Sequence, residues 1–531
     1  MKHGQAKLAV FGALLLLLGA WSTYRIAMVR HTMVLVAGGC RTPITVIEPD
    51  EAPAQGSVIV FHGLSANRKV MQYLGDDLAF DANLRVYLID LPGHGDNTDA
   101  FSFGRAQQCA AATVESLIQK GEVNPKTTAL LGHSLGGAIA IRLADREPVA
   151  ATVAISPMPM ITPRRMPSNL LVFSGQYDLR ALKQEAQSLQ KDAGGERTDA
   201  EDFLQARAFH LDAVRHATHT SQLFSAQVEA DARDWIVNSF EAAAGNDLGV
   251  YPWSSRSDWS QQEETSPAFR ARLGSAWFAI ERLGPVIGLL GLLLLFPVAV
   301  QIAGRFAGVA QEEATSAQPS RWLALLEGFV CALVGVLLLT LFLPLKFLHM
   351  YTGDYLASLL LIFGVLLVLL NLRDAKVNLP PQSVSRFIAA VVLGLAVILI
   401  VGAWLNWQLD DAWLNAPRWL RFAAILPVAW IFSFAEEVLL GPAQTGAKCR
   451  ERFAVFLLLR LELWLACLFA AYYLASGEVL IILLVLPLAL FSILQRLATD
   501  AFRRRTGSAA AAALFAGILA AWLIAVVFPL T

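Results

Sequence analysis

Hydrophobic and polar positions divide this chain into two parts. From Asp50 to Phe240 the sequence alternates polar and apolar residues as a soluble domain does. From Leu283 onward it is dominated by long apolar runs. Because a helix needs about 20 residues to cross the hydrocarbon core of a bilayer, the pattern predicts a soluble domain followed by a membrane domain.

Nine apolar runs are candidates for membrane spans. The first extends from Leu8 to about Tyr24. No small-residue cleavage site follows Leu18, so this run is predicted to remain as an anchor helix rather than to be removed as a signal peptide. The other eight lie at approximately 285–303, 322–343, 355–372, 387–407, 420–440, 453–474, 479–493 and 508–528. The run at 479–493 is short for a span, so the expected total is about nine, give or take one.

Four segments follow from these runs: an anchor helix over 1–30, a soluble domain over 31–245, a linker or interfacial segment over 246–282, and a transmembrane domain of about eight helices over 283–531. Trp253 and Trp259 lie in the third segment, and tryptophan is enriched at membrane interfaces. The chain is 56% hydrophobic and 16% charged with a net charge of −1. Its lack of excess positive charge argues against a nucleic-acid partner.

Positive charge is concentrated in alternate loops of the membrane part. One set of loops carries Arg305, Arg321, Arg373, Lys376, Arg386, Lys448, Arg450, Arg452, Arg496, Arg503, Arg504 and Arg505. The opposite set carries only Lys346, Arg418 and Arg421, beside Asp410 and Asp411. Because cytoplasmic loops are rich in lysine and arginine, the first set is predicted to be inside and the soluble domain on the periplasmic or extracellular side of a bacterial plasma membrane. Five arginines near the outer ends of the first two spans run against this orientation.

Within the soluble part, short apolar runs at 57–61, 84–90, 127–131, 151–156 and 169–174 alternate with helical patterns, and 208–212 forms a last strand. Strands that alternate with helices predict an α/β fold with a mostly parallel sheet. The third strand runs into Gly132-His-Ser134-Leu-Gly136, and a helical run follows. A serine on such a tight strand-to-helix turn is typical of a nucleophile elbow.

These motifs resemble the α/β-hydrolase superfamily, and within it the lysophospholipase and serine-aminopeptidase-like esterases. The resemblance rests on His62-Gly63 after a strand, on Asp90-Leu-Pro-Gly-His94-Gly, on the elbow with Gly137, and on a late Asp and His. It covers roughly 56–240 and does not extend to the membrane part. It implies the α/β-hydrolase fold and serine hydrolysis, and says little about the substrate.

The family order of the triad is serine, acid, histidine, so Ser134 is the expected nucleophile. Asp178, four residues after the strand that ends at Ser174, is the expected acid. Its alternatives are Asp192, Asp199 and Asp202, which lie in a polar stretch that reads as a solvated loop.

Three histidines compete for the base. His210 belongs to the last predicted strand, whereas His219 directly precedes the closing helical run that begins at Thr220. The family places its base there, so His219 is favoured over His216, with His216 as the second candidate.

The backbone N–H groups of Leu64 and Leu135 are the expected oxyanion hole. His62, His94 and His133 are expected to hydrogen-bond loops around the elbow. The predicted chemistry needs no metal or organic cofactor.

Only about a dozen residues, 157–168, separate the strand after the elbow helix from the acid strand, which is too few for a lid. The site is therefore expected to be open. Met158, Met160, Ile161 and Met166 lie in this segment and either pack within the loop or present an adaptable apolar surface to acyl chains and membrane lipids.

Two further features stay open from sequence. Cys40 and Cys109 can pair in an oxidising compartment, but the sequence does not bring them together. Glu436, Glu437 and Arg460 lie near the inner ends of neighbouring spans at matching depths, where such residues either join helices or mark a functional site.

The sequence thus predicts a membrane-anchored serine hydrolase that cleaves an ester, or an amide, of a lipid-like or acylated substrate. A carboxylic ester is preferred. The alternative is a transporter or signalling membrane protein that carries a hydrolase-fold accessory domain.

Overall fold

The computed structural model of the chain describes residues 3–27, 30–49, 53–159, 163–245, 276–307, 321–342, 346–373, 383–408, 411–442, 447–474 and 479–531. Most of the predicted linker, with Trp253 and Trp259, and also Met160 and Ile161, lie outside the described residues. The chain forms two compact units. The sheet unit comprises Gly19–Pro285, Leu405–Asp411 and Pro529–Thr531, and the helical unit comprises Met1–Leu18, Val286–Trp404 and Ala412–Phe528.

Eight strands form the sheet: β1 (Arg30–Ala37), β2 (Cys40–Ile47), β3 (Gly56–Phe61), β4 (Leu84–Ile89), β5 (Thr128–His133), β6 (Ala151–Ile155), β7 (Leu170–Gly175) and β8 (Phe209–Val214). Their spatial order is β1-β2-β4-β3-β5-β6-β7-β8. All neighbours are parallel except the β1–β2 and β2–β4 pairs. The α/β class with a mostly parallel sheet is confirmed. The β1–β2 hairpin was not predicted, although Gly38-Gly39 between two β-branched runs is a hairpin signal.

Helix α1 (His3–Ala27) precedes the sheet in sequence. The helices after it, in chain order, are α2 (Gln72–Asp81), α3 (Phe103–Gln119), α4 (Leu135–Ala144), α5 (Arg180–Asp192), α6 (Ala200–Leu204) and α7 (Ala226–Ala244). Three short 3₁₀ turns lie at Arg68–Met71, Pro125–Thr127 and Ser221–Phe224. Val58, Val60 and Leu131 pack with Leu78 and Trp235 on one face. Burial on both faces explains the continuous apolar strand patterns.

Two long-range links fix parts of the sheet unit. Cys40 at the start of β2 and Cys109 on α3 form a disulfide, with their Cα atoms 5.4 Å apart. Leu530 pairs by backbone hydrogen bonds with the loop after β4: its N–H donates to the Gly93 oxygen (3.0 Å), and its oxygen accepts from the Phe101 N–H (2.6 Å). The disulfide settles the pairing that sequence left open.

Eight helices of the described residues are long and apolar enough to cross a membrane. They are α8 (Ala276–Ala307), α9 (Arg321–Leu341), α10 (Gly353–Arg373), α11 (Val384–Gln408), α12 (Ala416–Leu440), α13 (Ala447–Tyr473), α14 (Val479–Thr506) and α15 (Ala509–Val527). A shorter apolar stretch, Ala6–Ser22, lies within α1. These eight helices fit a multi-pass membrane protein.

Helix α14 corrects one prediction. The apolar pattern predicts an end to this span at 493 and a loop that carries Arg496 and Arg503, whereas the helix continues to Thr506. The continuation is possible because the arginines find buried partners: Glu437 accepts from Arg496, Arg503 and Arg452. Arg496 also pairs with Asp500 one turn later. Paired charges keep the last turns of α14 helical where an apolar pattern would end.

The predicted match in depth between the acidic pair and Arg460 is visible within the helical unit. Arg460 Nη2 lies 3.1 Å from Glu436 Oε2. Glu437 instead joins the arginines of α13 and α14. Both acids therefore link helices to one another.

Candidate active site

Ser134 lies on a sharp turn between β5 and α4, with φ 54° and ψ −112°. This backbone conformation is strained for a residue with a side chain, and neighbouring hydrogen bonds hold it. The Ser134 backbone N–H donates to the Ile155 backbone oxygen (2.9 Å), and the Ser134 backbone oxygen accepts from the Met158 N–H (2.9 Å). A Cβ on Gly132 or Gly136 would strike backbone atoms of Gly136 or Phe61. The small residues of the predicted elbow are therefore required by close packing.

Asp178 and His219 meet at the carboxyl end of the sheet. Asp178 follows β7, and His219 lies in the loop between β8 and the turn Ser221–Phe224. His219 Nδ1 is 3.1 Å from Asp178 Oδ1, and both side chains are buried. An aspartate in this position fixes the orientation of the imidazole and leaves Nε2 as the proton acceptor.

His133, the residue before Ser134, holds His219 beside the elbow. Its Nε2–H donates to the His219 backbone oxygen (2.9 Å), and the two imidazole rings lie 4.7 Å apart. Among the described residues, no hydrogen bond joins Ser134 Oγ to the His219 ring. In sites without substrate such bonds are often longer and tighten when substrate binds.

The competing residues lie elsewhere. His216 is exposed, and its backbone N–H donates to Gln176 (2.9 Å). His210 pairs with Glu196 (2.6 Å). Of the alternative acids, which were expected in a solvated loop, Asp202 lies in α6 and pairs with Arg207 (2.8 Å), Asp192 is the last residue of α5, and Asp199 caps the start of α6. The structure thus pairs Asp178 with His219. In the described residues, the other candidate histidines and acids have different partners.

Two residues that the sequence analysis missed support Asp178. The Ser156 hydroxyl donates to Asp178 Oδ2. Gln222 Nε2 donates to Ser156 Oγ (2.6 Å) and lies 3.4 Å from Asp178 Oδ2. Burial acts to raise the pKa of Asp178, but hydrogen bonds from His219, Ser156 and the Leu179 N–H outweigh it and hold this pKa below its usual value. Asp178 is therefore a carboxylate over the whole physiological pH range.

The loop after β3 runs directly past the nucleophile. A Cβ on Gly63 would lie 3.2 Å from Ser134 Cβ, so Leu64 follows at the edge of the elbow. Leu135 is the first residue of α4, where backbone N–H groups lack helical partners and favour negative charge. In the described part of the chain, neither the Leu64 N–H nor the Leu135 N–H has a hydrogen-bond acceptor. Both amides can therefore donate to an oxyanion.

The other histidines near the elbow hold loops, as predicted. His62 Nε2 accepts from the Leu91 N–H (3.0 Å). His94 Nδ1 contacts the Pro92 oxygen (2.8 Å). Burial lowers the pKa of His62 to about 4 and that of His133 to about 3, so both imidazoles are neutral at physiological pH.

Three carboxylates, from Asp90, Asp96 and Asp411, lie close enough together to suggest a cation site. Arg68 and Lys69 already occupy this position. Arg68 pairs with all three acids and Lys69 with Asp411. These two cations offset two of the three negative charges of the cluster.

Apolar side chains lie close in sequence to the candidate triad residues. Tyr177, next to Asp178, is 60% exposed, and Phe224, on the turn after His219, is 56% exposed. Met158, whose N–H donates to the Ser134 backbone oxygen, is half-buried. Between β6 and β7, residues 156–159 and 163–169 contain no helix. These described residues therefore supply no helical lid.

The sequence profile of the alpha/beta hydrolase family matches residues 58–522. Three curated relatives are similar over shorter stretches. The magnesium-chelatase 30 kDa subunit of Rhodobacter capsulatus is 36% identical over 108 residues, which is 20% of this chain and 37% of that protein. A probable alcohol acetyltransferase of Saccharomyces cerevisiae is 22% identical over 45% of this chain and 69% of its own length. A pimeloyl-[acyl-carrier protein] methyl ester esterase of Nitrosospira multiformis is 39% identical over 12% of this chain and 25% of its own length.

The chain therefore spans about a third of the magnesium-chelatase subunit and a quarter of the esterase. Among solved structures, the lidless serine hydrolase XC6422 of Xanthomonas campestris is 17% identical, with a TM-score of 0.32 over 40% of this chain and 94% of that one.

Proposed function

The chain belongs to the alpha/beta hydrolase family, and on this premise we propose that it is a serine hydrolase of the membrane that cleaves carboxylic esters of acylated, lipid-like substrates outside the cytoplasm. One observation carries the proposal. A buried Asp178–His219 pair is held by His133 beside a serine in a strained elbow. An isolated hydroxyl is a poor nucleophile at neutral pH, and this arrangement supplies the base that it needs.

The reaction proceeds in two halves. His219 Nε2 takes the Ser134 proton while Ser134 Oγ attacks the acyl carbon, and the carbonyl oxygen becomes an oxyanion held by the Leu64 and Leu135 amides. The carbon–oxygen bond to the alcohol breaks, and His219 returns its proton to that alcohol. Water then attacks the acyl-serine with the same base, and this releases the acid and restores Ser134. Asp178 stays ionised and stabilises the imidazolium at each half.

The apolar side chains close in sequence to the triad residues support an acyl substrate. Met158, whose N–H donates to the Ser134 backbone oxygen, and the exposed side chains of Tyr177 and Phe224 supply apolar surface for an acyl chain. Two of the relatives carry names that describe reactions of acyl esters, a methyl ester esterase and an alcohol acetyltransferase. An ester is therefore the preferred bond. Transfer of the acyl group to an alcohol in place of water is the nearest variation of the same chemistry.

The disulfide supports a location outside the cytoplasm. Cys40 and Cys109 both lie in the sheet unit and are bonded. Disulfides persist in oxidising compartments and are rare in the cytosol. The loop charges of the membrane part predict the same side for this unit, so two independent features favour the periplasmic or extracellular face.

Labelling with a fluorophosphonate probe tests the proposal. The full chain in detergent should be labelled, Ser134→Ala should not, and Ser116→Ala on α3 should label as the wild type does. Hydrolysis of p-nitrophenyl esters from acetate to laurate should become more efficient with acyl length. Folded wild-type protein that neither reacts with the probe nor cleaves any ester would overturn the proposal.

A genetic comparison separates this function from a transporter or signalling role of the helices. A strain that carries Ser134→Ala should accumulate the same acylated species as a deletion strain. A defect confined to the deletion would assign the function to the helical unit instead.

A further inference from the structure

Two distant pieces of chain belong to the sheet unit, Leu405–Asp411 and Pro529–Thr531. Within the first, Asp411 is only 5% exposed. Its carboxylate pairs with Lys69, and Arg68 Nη1 lies 3.4 Å from its Oδ2. Lys69 Nζ also donates to the backbone oxygen (2.6 Å) and side-chain oxygen (2.9 Å) of Asn406. Both cations therefore bind this segment.

The loop after β4 is shaped around the same carboxylate. A Cβ on Gly95 would lie 2.5 Å from Asp411 Oδ2 and equally close to Asp90 Oδ2. Gly95 also has φ +52°, which a residue with a side chain rarely adopts. The loop thus leaves space for Asp411 that no other residue type at position 95 would leave.

Arg68 connects Asp411 to the proposed oxyanion hole. Arg68 begins the turn Arg68–Met71, four residues after Leu64. Its backbone N–H donates to Asp90 Oδ1 (2.8 Å), and its Nε donates to Thr45 Oγ1 (2.9 Å). At the other end of the loop, His62 Nε2 accepts from the Leu91 N–H. The loop that carries Leu64 is therefore held at both ends, and the Arg68 end depends on the acidic cluster.

Charge balance makes Asp411 important within this cluster. Lys69 is 11% exposed and Arg68 is 4% exposed, so both cations are largely removed from water. Of the three acids, Asp96 is half exposed, whereas Asp90 and Asp411 are buried. The loss of one partner of a buried ion pair leaves the other charge uncompensated, which is strongly destabilising locally.

We propose that Asp411 is a positioning residue of the hydrolase site, which acts through Arg68 and Lys69 to hold the loop that presents the Leu64 amide. This inference rests on the proposed function. Asp411 is flanked in sequence by helices α11 and α12. The oxyanion hole of the sheet unit therefore depends on a residue that lies between two apolar helices of the chain.

The kinetic test compares Asp411→Asn with Asp354→Asn in the full-length protein. Asp354 is a matched control because it is also a buried carboxylate at a helix boundary. It accepts from the Leu348 and Met350 N–H groups and has no part in the Arg68 cluster. For a soluble p-nitrophenyl ester, Asp411→Asn should lower kcat by about 10- to 100-fold, as partial loss of an oxyanion donor does, with KM nearly unchanged. Asp354→Asn should leave both constants close to the wild type.

A double variant tests the route. If Asp411 acts through Lys69, then Lys69→Met combined with Asp411→Asn should lower kcat no further than the stronger single variant. Additive losses would overturn the route through Lys69. Should Asp411→Asn not fold, Lys69→Met alone carries the kinetic comparison with Asp354→Asn.

Hydrogen exchange gives a readout that does not need activity. Amides of residues 62–67 should exchange faster in Asp411→Asn than in the wild type or in Asp354→Asn. An active wild type with unchanged kinetics and exchange in Asp411→Asn would overturn the inference and leave the proposed function standing. A wild type without esterase activity would overturn the proposed function. Faster exchange of residues 62–67 in Asp411→Asn would then still support the role of Asp411 in holding the loop, and unchanged exchange would overturn it.

Discussion

His219 Nδ1 lies 3.1 Å from Asp178 Oδ1 across a sequence separation of 41 residues. The two residues follow neighbouring parallel strands, β7 and β8, whose carboxyl ends lie at the same edge of the sheet. The pairing is thus a direct result of the topology.

Replacement of His219 by Gln should lower kcat for ester hydrolysis by about 10⁴-fold or more, because the proton acceptor of the nucleophile is lost. His216→Gln is the matched control, since His216 is the nearest histidine in sequence and has no contact with Asp178. Its activity should stay within about twofold of the wild type. Steady-state kinetics on a p-nitrophenyl ester measure both, and a reversal of the two results would assign the base to His216.

Asp178→Asn should lower kcat by about 10⁴-fold with little change in KM, because an amide stabilises the wrong imidazole tautomer. Asp202→Asn is the control, since Asp202 pairs with Arg207 away from the triad. Equal activity of wild type and Asp178→Asn would remove Asp178 from the proposed triad.

Gln222→Leu should lower kcat by roughly 10-fold and not abolish it, because Gln222 reaches Asp178 mainly through Ser156. The Asp178 carboxylate then loses part of its hydrogen bonding and binds a proton more readily. As the pH is lowered, the variant should therefore lose activity at a higher pH than the wild type does. Profiles of kcat against pH measure this shift. An unchanged acid limb would show that Gln222 has no influence on the acid.

Acid should destabilise the sheet unit through His62 and His133. Burial lowers their pKa values from 6.5 to about 4 and about 3, so between these values and 6.5 the unfolded chain binds more protons than the folded one. Stability therefore falls as pH falls below 6.5, by about 1.4 kcal/mol per pH unit for each histidine. In His133→Gln the melting temperature should depend less steeply on pH between 6.5 and 4.5. A slope equal to that of the wild type would contradict this account.

Cys40→Ser with Cys109→Ser should lower the stability of the sheet unit by about 2–4 kcal/mol, because the bond closes a loop between residues 69 positions apart. Thermal melting in detergent measures the loss, and a reductant should lower the melting temperature of the wild type and leave the double variant unchanged. If the double variant and the wild type treated with reductant both melt at the temperature of the untreated wild type, the disulfide contributes nothing to stability.

Local patterns were sufficient for much of this molecule. The elbow around Ser134, the parallel strands, the apolar helices and the place of Asp178 all follow from residues close together in sequence, where periodicity and turn chemistry act directly. Position in the chain alone favoured His219 over His216, and His219 is the one of the two that contacts Asp178 in the described structure.

Contacts between distant residues could not be predicted in this way. Nothing near Gln222 or Asp411 in sequence indicates that each will reach a loop at the end of a strand. Ser156 offered a weaker signal, because it directly follows β6 at the edge of the sheet where the other site residues lie. The length of α14 was misjudged for a related reason, since its arginines become compatible with a buried helix only when Glu437 and Asp500 are beside them.

The pairing of Leu530 with Gly93 and Phe101 constrains biogenesis. The ribosome makes Leu530 only after it has made the eight described apolar helices, so the loop after β4 gains these backbone partners only after those helices have been synthesised. Until then the sheet unit has all eight strands but lacks this pairing, which therefore forms late in folding.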